Sequence, residues 1–225
     1  MIKEHSGGKS AKRRIVIIDD HPIVRDGLSR LINHEPELEV CGAAASAGDG
    51  LDLVARLKPD LTIIDLSLGG RPGIELIKDI VVRFPGLLVL VLSMHDEKLY
   101  AQRCIRAGAR GYIMKVEATE KVLSAIRRIL SGERYVSESV AAGLLQQLAR
   151  SGKPLVGSPV ETLSDRELEI FKMIGQGMSV RKIADALFLS AKTVEAHREH
   201  IKQKLNVTSS SELLRYAVQT HLDAP

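Results

Sequence analysis

The sequence predicts an α/β doubly wound domain with a five-stranded parallel sheet, followed by an all-α domain of four short helices. Between Arg13 and Leu130, apolar strand-like runs alternate with amphipathic helix-like segments in five rounds, which is typical of a sheet covered on both faces. The strand-like runs are continuously apolar, as the buried strands of parallel sheets are. After about residue 160 the pattern is helical to the end of the chain.

The elements of the first domain follow from residue periodicity. Each predicted strand is a short run rich in Val, Ile or Leu, and each predicted helix repeats its apolar positions at about 3.6 residues per turn. The predicted strands cover 15–20, 38–46, 61–65, 87–93 and 111–114, and the helices 22–32, 48–57, 73–83, 96–107 and 119–130.

The second domain is preceded by a segment of different character. The stretch SGKPLVGSP (151–159) is rich in Gly, Ser and Pro and is typical of a linker. Within the longer linker region before it, residues 139–149 are predicted to form one helix. Ser164 and Glu167 then form a capping box at the start of a helix. Helices are predicted over 165–174, 179–187, 190–205 and 210–221. The predicted division of the chain is a disordered tail over 1–12, a first domain over 13–131, a linker over 132–160 and a second domain over 161–225.

Composition limits the classes of function. The 225 residues are 44% hydrophobic and 27% charged, and no apolar run approaches the roughly 18–20 residues that cross a bilayer. The polar N-terminal stretch does not resemble a signal peptide. Cys41 and Cys104 are predicted to be buried thiols, as expected in a reducing cytoplasm. The net charge of +4 permits nucleic-acid binding, whereas the aromatic content of 3% argues against single-strand binding by base stacking.

Polar side chains follow the strands at one edge of the predicted sheet. Asp19-Asp20 end the first strand, Asp65 the third and Ser93 the fourth, and Lys115 follows the fifth. The carboxyl ends of parallel strands are where open α/β sheets place their ligand sites. Three neighbouring carboxylates repel each other unless a cation joins them, and Mg²⁺ is the natural occupant of an oxygen-rich site.

The charges suggest a role for each group. Mg²⁺ would be held by Asp20, Asp65 and the carbonyl of Ser67, with Asp19 contributing through water. Asp65 would attack phosphorus and become an acyl phosphate. Lys115 would pair with an oxygen of the transferred group.

Two further residues would sense the phosphoryl group. The hydroxyl of Ser93 can hydrogen-bond another phosphoryl oxygen and draw its loop inward. Tyr112 would then turn into the space that the loop vacates.

Each of these residues also has an ordinary structural explanation. Asp19-Asp20 before a proline could be a helix N-cap, and Ser93 with Asp96 could be a capping pair. Asp65 could be a turn residue. Likewise, Lys115 could be a solvated charge and Tyr112 half-buried packing. All five explanations holding together, each at its own strand end, is improbable.

The middle two helices of the second domain have helix-turn-helix spacing. Ile183 and Leu187 face inward on the first, and Val194, Ile201 and Leu205 share one side of the next. A two-helix packing unit with a solvated polar face would show the same periodicity. The predicted DNA-contacting residues, on the opposite side and the flanks, are Arg181, Lys182, Lys192, Thr193, Glu195, Ala196, Arg198, Glu199, Lys202 and Lys204.

The first domain resembles the receiver domain of bacterial two-component response regulators. The matching positions are Asp19-Asp20, Asp65, Ser93, Tyr112 and Lys115. The stretch from Leu163 to Leu205 resembles the LuxR-type DNA-binding domain, so that nearly the whole chain is similar to the NarL/FixJ class. Three features depart from the family pattern: Gly69 and Val116 stand where relatives usually have proline, and Pro72 is displaced towards the following helix.

The resemblance implies a phosphorylation-controlled transcriptional regulator. A sensor histidine kinase would phosphorylate Asp65, and the phosphorylated protein would bind double-stranded promoter half-sites as a homodimer in the cytoplasm. The flavodoxin-like receiver would catalyse only its own phosphorylation and dephosphorylation. Two alternatives stay open: a DNA-binding regulator whose receiver takes no phosphate, and a metal-dependent phosphatase, which would need a further general acid.

The second domain carries little net positive charge with which to attract DNA. Residues 160–225 carry nine basic and nine acidic side chains, whereas 181–204 carry six and three, so the positive field is local. Glu195 and Glu199 could accept hydrogen bonds from cytosine, but they weaken phosphate-driven binding. The sequence therefore predicts feeble DNA affinity for a monomer and a strong need for dimerisation.

Overall fold

The computed structural model describes residues 11–68, 71–149 and 159–222. Five parallel strands form its main sheet, in the order β2-β1-β3-β6-β7, and a short antiparallel hairpin, β4-β5, lies beside it. This confirms the predicted doubly wound parallel sheet. The strands are β1 Arg13–Ile18, β2 Leu38–Ala44, β3 Leu61–Ile64, β4 Ser67–Leu68, β5 Arg71–Pro72, β6 Leu88–Ser93 and β7 Gly111–Met114.

Helices cover both faces of the sheet because alternate strand residues point to opposite sides. On β1, Ile15 and Ile17 belong to one buried apolar cluster, and Val16 and Ile18 to the other. The helices are α1 Pro22–Asn33, α2 Ala47–Leu57, α3 Gly73–Arg83, α4 Glu97–Ala107 and α5 Ala118–Leu130.

Several element boundaries differ from the sequence prediction by one or two residues, and three differences lie next to the predicted site residues. β1 ends at Ile18, and Asp19-Asp20 therefore lie in the following loop. β3 likewise ends one residue before Asp65. The hairpin β4-β5 was not predicted, because two-residue strands carry no periodicity to detect. All three differences lie at the carboxyl edge of the sheet, where the chain leaves regular pairing.

The segment after α5 is packed rather than extended. The Tyr135 backbone pairs with β7, donating to the Arg110 carbonyl oxygen at 2.9 Å and accepting from Tyr112 at 3.0 Å. Helix α6, Glu138–Ala149, packs on α4 and buries Val140. The predicted helix over 139–149 is thus present. The predicted tail and the Gly-Ser-Pro stretch lie almost wholly outside the described residues.

The C-terminal part is helical, as predicted. A 3-10 turn, Pro159–Thr162, leads into α7 Asp165–Gly175, α8 Val180–Leu187, α9 Ala191–Leu205 and α10 Ser210–Leu222. Ser164 and Glu167 form the expected capping box on α7. The turn between α8 and α9 begins at Phe188, whose φ of 53° ends α8 in the left-handed conformation. Its ring is 79% exposed, so this aromatic side chain is placed by the turn and not by a core.

One glycine packs directly against the loop that follows β3. A Cβ added to Gly73 would lie 2.5 Å from the Leu66 Cα and 2.7 Å from the Asp65 carbonyl oxygen. Both neighbours are backbone atoms, which cannot rotate away as a side chain can. Gly73→Ala should therefore lower the free energy of unfolding by about 1–3 kcal/mol, as overpacking does.

Urea unfolding measures this, with Gly27→Ala as the matched control. Gly27 lies on the exposed side of α1, and an added Cβ would meet nothing within 4 Å. That change should stabilise the protein by about 0.5–1 kcal/mol, the helical preference for Ala. Equal stability of the two variants would contradict the close approach at Gly73.

Candidate metal centre and nucleic-acid interface

A group of acidic residues lies at the carboxyl ends of β1 and β3, which are neighbours in the sheet. Asp19 and Asp65 are each 2% exposed, whereas Asp20 is open to solvent. His21 joins them, and one ligand-type atom from each of the four residues lies within 4.8 Å of the others. We name these four residues the acidic pocket. Nothing in the sequence pattern marks His21 as a member of this group, because only the fold brings it close to Asp65.

Lys115 reaches the acidic pocket from the end of β7. Its Nζ lies 2.6 Å from Asp65 Oδ2 and 2.8 Å from Asp19 Oδ2, and its side chain is only 7% exposed. One ammonium thus joins the two buried carboxylates across three strands of the sheet. The alternative explanation of Lys115 as a solvated charge is excluded, because its side chain is only 7% exposed.

Burial dominates the electrostatics of this site. It raises the pKa of Asp65; the Lys115 ammonium opposes that shift, and the Asp19 charge adds to it. Burial acts to lower the pKa of Lys115, but the hydrogen bonds to Asp19 and Asp65 outweigh it and leave the pKa raised. The lysine is therefore a permanent cation, and the charged form of Asp65 beside it is held at an energetic cost.

The residues fit a divalent cation. Asp65 Oδ1 is buried and has no hydrogen-bond partner within the described part of the chain. An unpaired buried oxygen of this kind is costly, and a cation bound beside it would remove the cost. Asp20 turns an oxygen to His21 Nδ1 at 2.6 Å, on the same side of the pocket. Oxygen donors that converge in this way suit Mg²⁺.

The alternatives for the first acidic pair can be compared with the geometry. Asp19 Oδ1 accepts from the His21 backbone N at 2.8 Å, so one oxygen does organise the turn. The N-cap of α1 is His21, however, and it makes no side-chain capping bond. Asp20 therefore does not serve as the cap that the sequence allowed.

Ser93 and Tyr112 lie together behind the acidic pocket. Both are buried, at 0% and 2% exposure. His95 is hydrogen-bonded to both of them. Its backbone N donates to Ser93 Oγ at 3.1 Å, and its carbonyl oxygen accepts from Tyr112 Oη at 2.7 Å. Tyr112 already points inward and is bound to the loop after β6. The alternative of half-buried packing is excluded for this residue.

His95 connects that loop to the one that follows Asp65. Its Nε2 lies 3.1 Å from Ser67 Oγ. Burial, and then the Lys172 and Lys115 charges, lower the pKa of His95 to about 4, so the ring is neutral at physiological pH. A neutral imidazole offers one donor and one acceptor, which suits a hydroxyl partner. No sequence signal marked His95, because its importance comes from loops that meet only in space.

Helix α9 presents its polar side to solvent, as the helix-turn-helix prediction requires. Val194, Ile201 and Leu205 are buried on the opposite side. The predicted DNA-contacting residues that are exposed are Arg181, Lys182, Lys192, Glu195, Ala196, Glu199 and Lys204.

The basic residues at the flanks of α9 are paired with carboxylates. Lys202 Nζ lies 2.7 Å from Glu199 and Arg198 Nη1 3.1 Å from Glu195, and each basic side chain is less than one-fifth exposed. Lys204 Nζ lies 2.6 Å from the capping-box residue Glu167. Each of these charges would have to leave a carboxylate before it could bind a phosphate.

Helix α10 is divided between two roles. Leu213 and Ala217 are buried against α7, so they complete the core of their own domain. Leu214 is 42% exposed and leaves part of the helix open.

Two family models match the chain. Residues 15–127 match the response regulator receiver domain, and residues 161–217 match the bacterial regulatory proteins of the luxR family. Among the described residues, no helix has the length and apolar character of a membrane span.

Individual relatives match over nearly the whole chain. The oxygen regulatory proteins NreC of Staphylococcus carnosus and Staphylococcus haemolyticus are each 38% identical over 213 residues, which cover 93% of this chain and 98% of theirs. Among solved structures, the RcsB response regulator of Salmonella typhimurium has a TM-score of 0.68 at 26% identity, covering 93% of this chain and 98% of that one. RcsB bound to the promoter P1flhDC in the presence of the phosphomimetic BeF₃⁻ has a TM-score of 0.65 at 26% identity, covering 92% and 99%.

The buried carboxylate predicts a pH-dependent stability. Because the pKa of Asp65 is raised by folding, the folded protein binds this proton more tightly than the unfolded chain does. The stabilising contribution of the group is then lost as pH rises through the folded pKa. Asp65→Asn removes the buried charge and should raise the free energy of unfolding at pH 7 by roughly 1 kcal/mol, an ordinary size for one substitution.

Urea unfolding at pH 7 and at about pH 4 measures the difference. The advantage of Asp65→Asn should shrink at the lower pH, because a raised pKa makes the wild-type carboxyl carry its charge less often there. Asp26→Asn, on the exposed side of α1, removes an equal charge and should change stability little at either pH. A destabilised Asp65→Asn protein at pH 7 would contradict the assigned cost of this carboxylate.

Proposed function

Because the chain belongs to the bacterial response regulators that join a receiver domain to a LuxR-type DNA-binding domain, we propose that phosphorylation of Asp65 controls its binding to promoter DNA. The proposal depends on Asp65 Oδ1, which is buried without a partner among the described residues, beside the Lys115 ammonium. We assign the receiver to 13–131, the linker to 132–160 and the DNA-binding domain to 161–225, in a cytoplasmic protein.

The proposed step transfers one phosphoryl group. An Asp65 carboxylate oxygen forms a bond to phosphorus as the bond from phosphorus to the donor breaks, and the donor leaves with that electron pair. The donor is a phosphohistidine of a sensor kinase or a small acyl phosphate. Lys115 moves from the carboxylate to an oxygen of the transferred group and keeps the local charge balanced.

A divalent cation belongs to this site in the proposal. Asp20, Asp65 and the Ser67 carbonyl would hold Mg²⁺, with Asp19 acting through water, and the ion would neutralise charge on the phosphoryl group. His21 lies within reach of the same space. The ion would also offset the cost of the buried acidic group.

Ser93 and Tyr112 form the proposed switch. The Ser93 hydroxyl accepts from the His95 backbone, and in the proposal it donates its own proton to a phosphoryl oxygen. Tyr112 holds the same loop through its hydroxyl. Phosphorylation would favour this inward arrangement over others, and the phosphorylated protein would dimerise on paired half-sites.

Helix α9 is the proposed recognition helix. Its exposed residues Lys192, Glu195, Ala196 and Glu199 would face base edges in the major groove. The phosphate contacts would come from its flanks, and from Arg181 and Lys182 on α8. Family members are not conventional enzymes, and turnover of the receiver's own aspartyl phosphate is the only catalysis we propose.

Acetyl phosphate tests the phosphoacceptor. With Mg²⁺ present, wild-type protein should gain the mass of one phosphoryl group in an intact-mass measurement, and Asp65→Asn should gain none. Lys115→Met should slow the gain at least tenfold, since one hydrogen bond to a charged group is worth about 1.5–3 kcal/mol.

The same experiment separates the alternatives. A mass gain that survives Asp65→Asn, or no gain in the wild type, would sink the proposal and leave a phosphate-independent regulator. Continuous release of inorganic phosphate from an added phosphomonoester by wild type, but not by Asp65→Asn, would instead support a phosphatase.

The ion pairs on α9 predict the effect of one acidic residue on DNA affinity. Glu199→Gln removes a negative charge from the exposed face and releases Lys202 from its partner at 2.7 Å. Affinity for duplex DNA should rise several-fold at low salt, and the fall of affinity with salt should become steeper by about one counterion.

Fluorescence anisotropy with a labelled duplex over a salt series measures both quantities. Glu120→Gln, on α5 of the receiver, changes the net charge equally without touching α9 and is the matched control. A control that gained as much affinity would show that overall charge, and not the α9 face, governs binding. Tight binding of wild-type monomers at physiological salt would contradict the predicted need for dimerisation.

A further inference from the structure

The two domains are packed together through α4 of the receiver and the start of α7. Arg103 on α4 reaches across: its Nη1 donates to the Leu163 carbonyl oxygen at 2.7 Å and to Asp165 Oδ1 at 3.1 Å. Its Nη2 donates to the Val160 carbonyl oxygen at 3.3 Å. The side chain is 15% exposed, so these are sheltered, charge-assisted hydrogen bonds. Three acceptors on one guanidinium fix the position of the DNA-binding domain on α4.

A second contact lies one turn earlier on α4. The Lys172 ammonium, from α7, lies 4.2 Å from the centroid of the Tyr100 ring. Burial lowers the pKa of Lys172 to about 8, and the Asp96 charge opposes that shift, so the amine is mainly charged at neutral pH. A partly desolvated cation over an aromatic face is a favourable contact.

Tyr100 also contacts the loop after β6, which carries His95 and which we name the switch loop. Its ring stacks on His95, with centroids 4.6 Å apart and planes inclined by 16°. His95 in turn bonds to Ser67 beyond Asp65, to Ser93 and to Tyr112. A continuous series of contacts therefore runs from α7 to both loops that border the acidic pocket.

The packed arrangement leaves the recognition helix open. The exposed face of α9, with Lys192, Glu195 and Glu199, lies away from the receiver contact. Leu214 on α10 is also accessible. Docking of the two domains is therefore compatible with an exposed DNA-reading surface.

The buried position of Tyr112 indicates which state of the receiver the contact between the domains favours. Sequence analysis predicted that Tyr112 turns inward when Asp65 is phosphorylated. In the docked arrangement Tyr112 is already 2% exposed and bound to His95. Docking and phosphorylation would thus favour the same position of the switch loop, and two events that favour one state assist each other reciprocally.

We propose that the docked DNA-binding domain prepares the receiver for phosphorylation, with Arg103 and Lys172 as positioning residues that act through Tyr100 and His95. The inference rests on the proposed function, because it concerns the rate at which Asp65 is modified. It implies that the phosphorylated protein stays docked and does not release its DNA-binding domain.

The test compares full-length variants by their initial rate of phosphorylation with acetyl phosphate and Mg²⁺, followed by intact mass. Arg103→Ala and Lys172→Glu should each slow the gain about fivefold or more, because the rate falls with the population of the receiver state that accepts the phosphoryl group. Lys172→Arg keeps the cation and should stay close to wild type. Arg110→Ala removes an exposed charge from the receiver outside the contact and is the matched control.

Energy transfer between a donor label on the receiver and an acceptor label on the DNA-binding domain, in labelled protein diluted with unlabelled copies, measures docking within one chain. The transfer should fall in Arg103→Ala and Lys172→Glu, and it should not fall when wild type is phosphorylated, even if the phosphorylated protein dimerises. Variants that are phosphorylated as fast as wild type, or faster, would overturn the inference, as would loss of transfer on phosphorylation of wild type. A wild type that takes no phosphoryl group would instead overturn the proposed function itself.

Discussion

The Lys115 ammonium between two buried carboxylates is the constraint on which the receiver depends. Its Nζ lies within 2.8 Å of both Asp19 and Asp65, which come from neighbouring strands. Without a cation there, two carboxylates of 2% exposure would share a site with no water to screen them. The sheet order places β1 beside β3, and β6 beside β7, so that all the loops of this site meet at one edge.

A series of contacts connects Asp65, at the carboxyl edge of the sheet, with helix α7 of the other domain. Asp65 borders Ser67, which touches His95, and His95 stacks on Tyr100 at the surface of the receiver. Lys172 of the DNA-binding domain lies on that tyrosine. Each link is a short contact between buried or half-buried groups, which transmit displacement because packed interiors yield little.

The ion pairs around helix α9 favour folding of the domain but oppose binding of DNA phosphates. Its flanking cations pair with Glu195, Glu199 and Glu167, which stabilise α9 and the α7 cap in the free protein. The same pairs reduce the positive field available to DNA phosphates. Fewer unpaired cations are thus left on the flanks of α9, and Leu214 on α10 stays exposed beside them.

The sequence by itself determined the two folds, the order of their elements and the chemical groups at the sheet edge. Continuous apolar strands alternating with amphipathic helices allow few other architectures, and Asp19, Asp65, Ser93 and Lys115 each stood at a strand end. Only the tertiary structure decided the parts played by His21, His95, Tyr100 and Lys172, and the docking of α7 on α4. These depend on loops and surfaces that are distant in sequence, and side-chain periodicity reports the buried face of an element without saying which other element covers it.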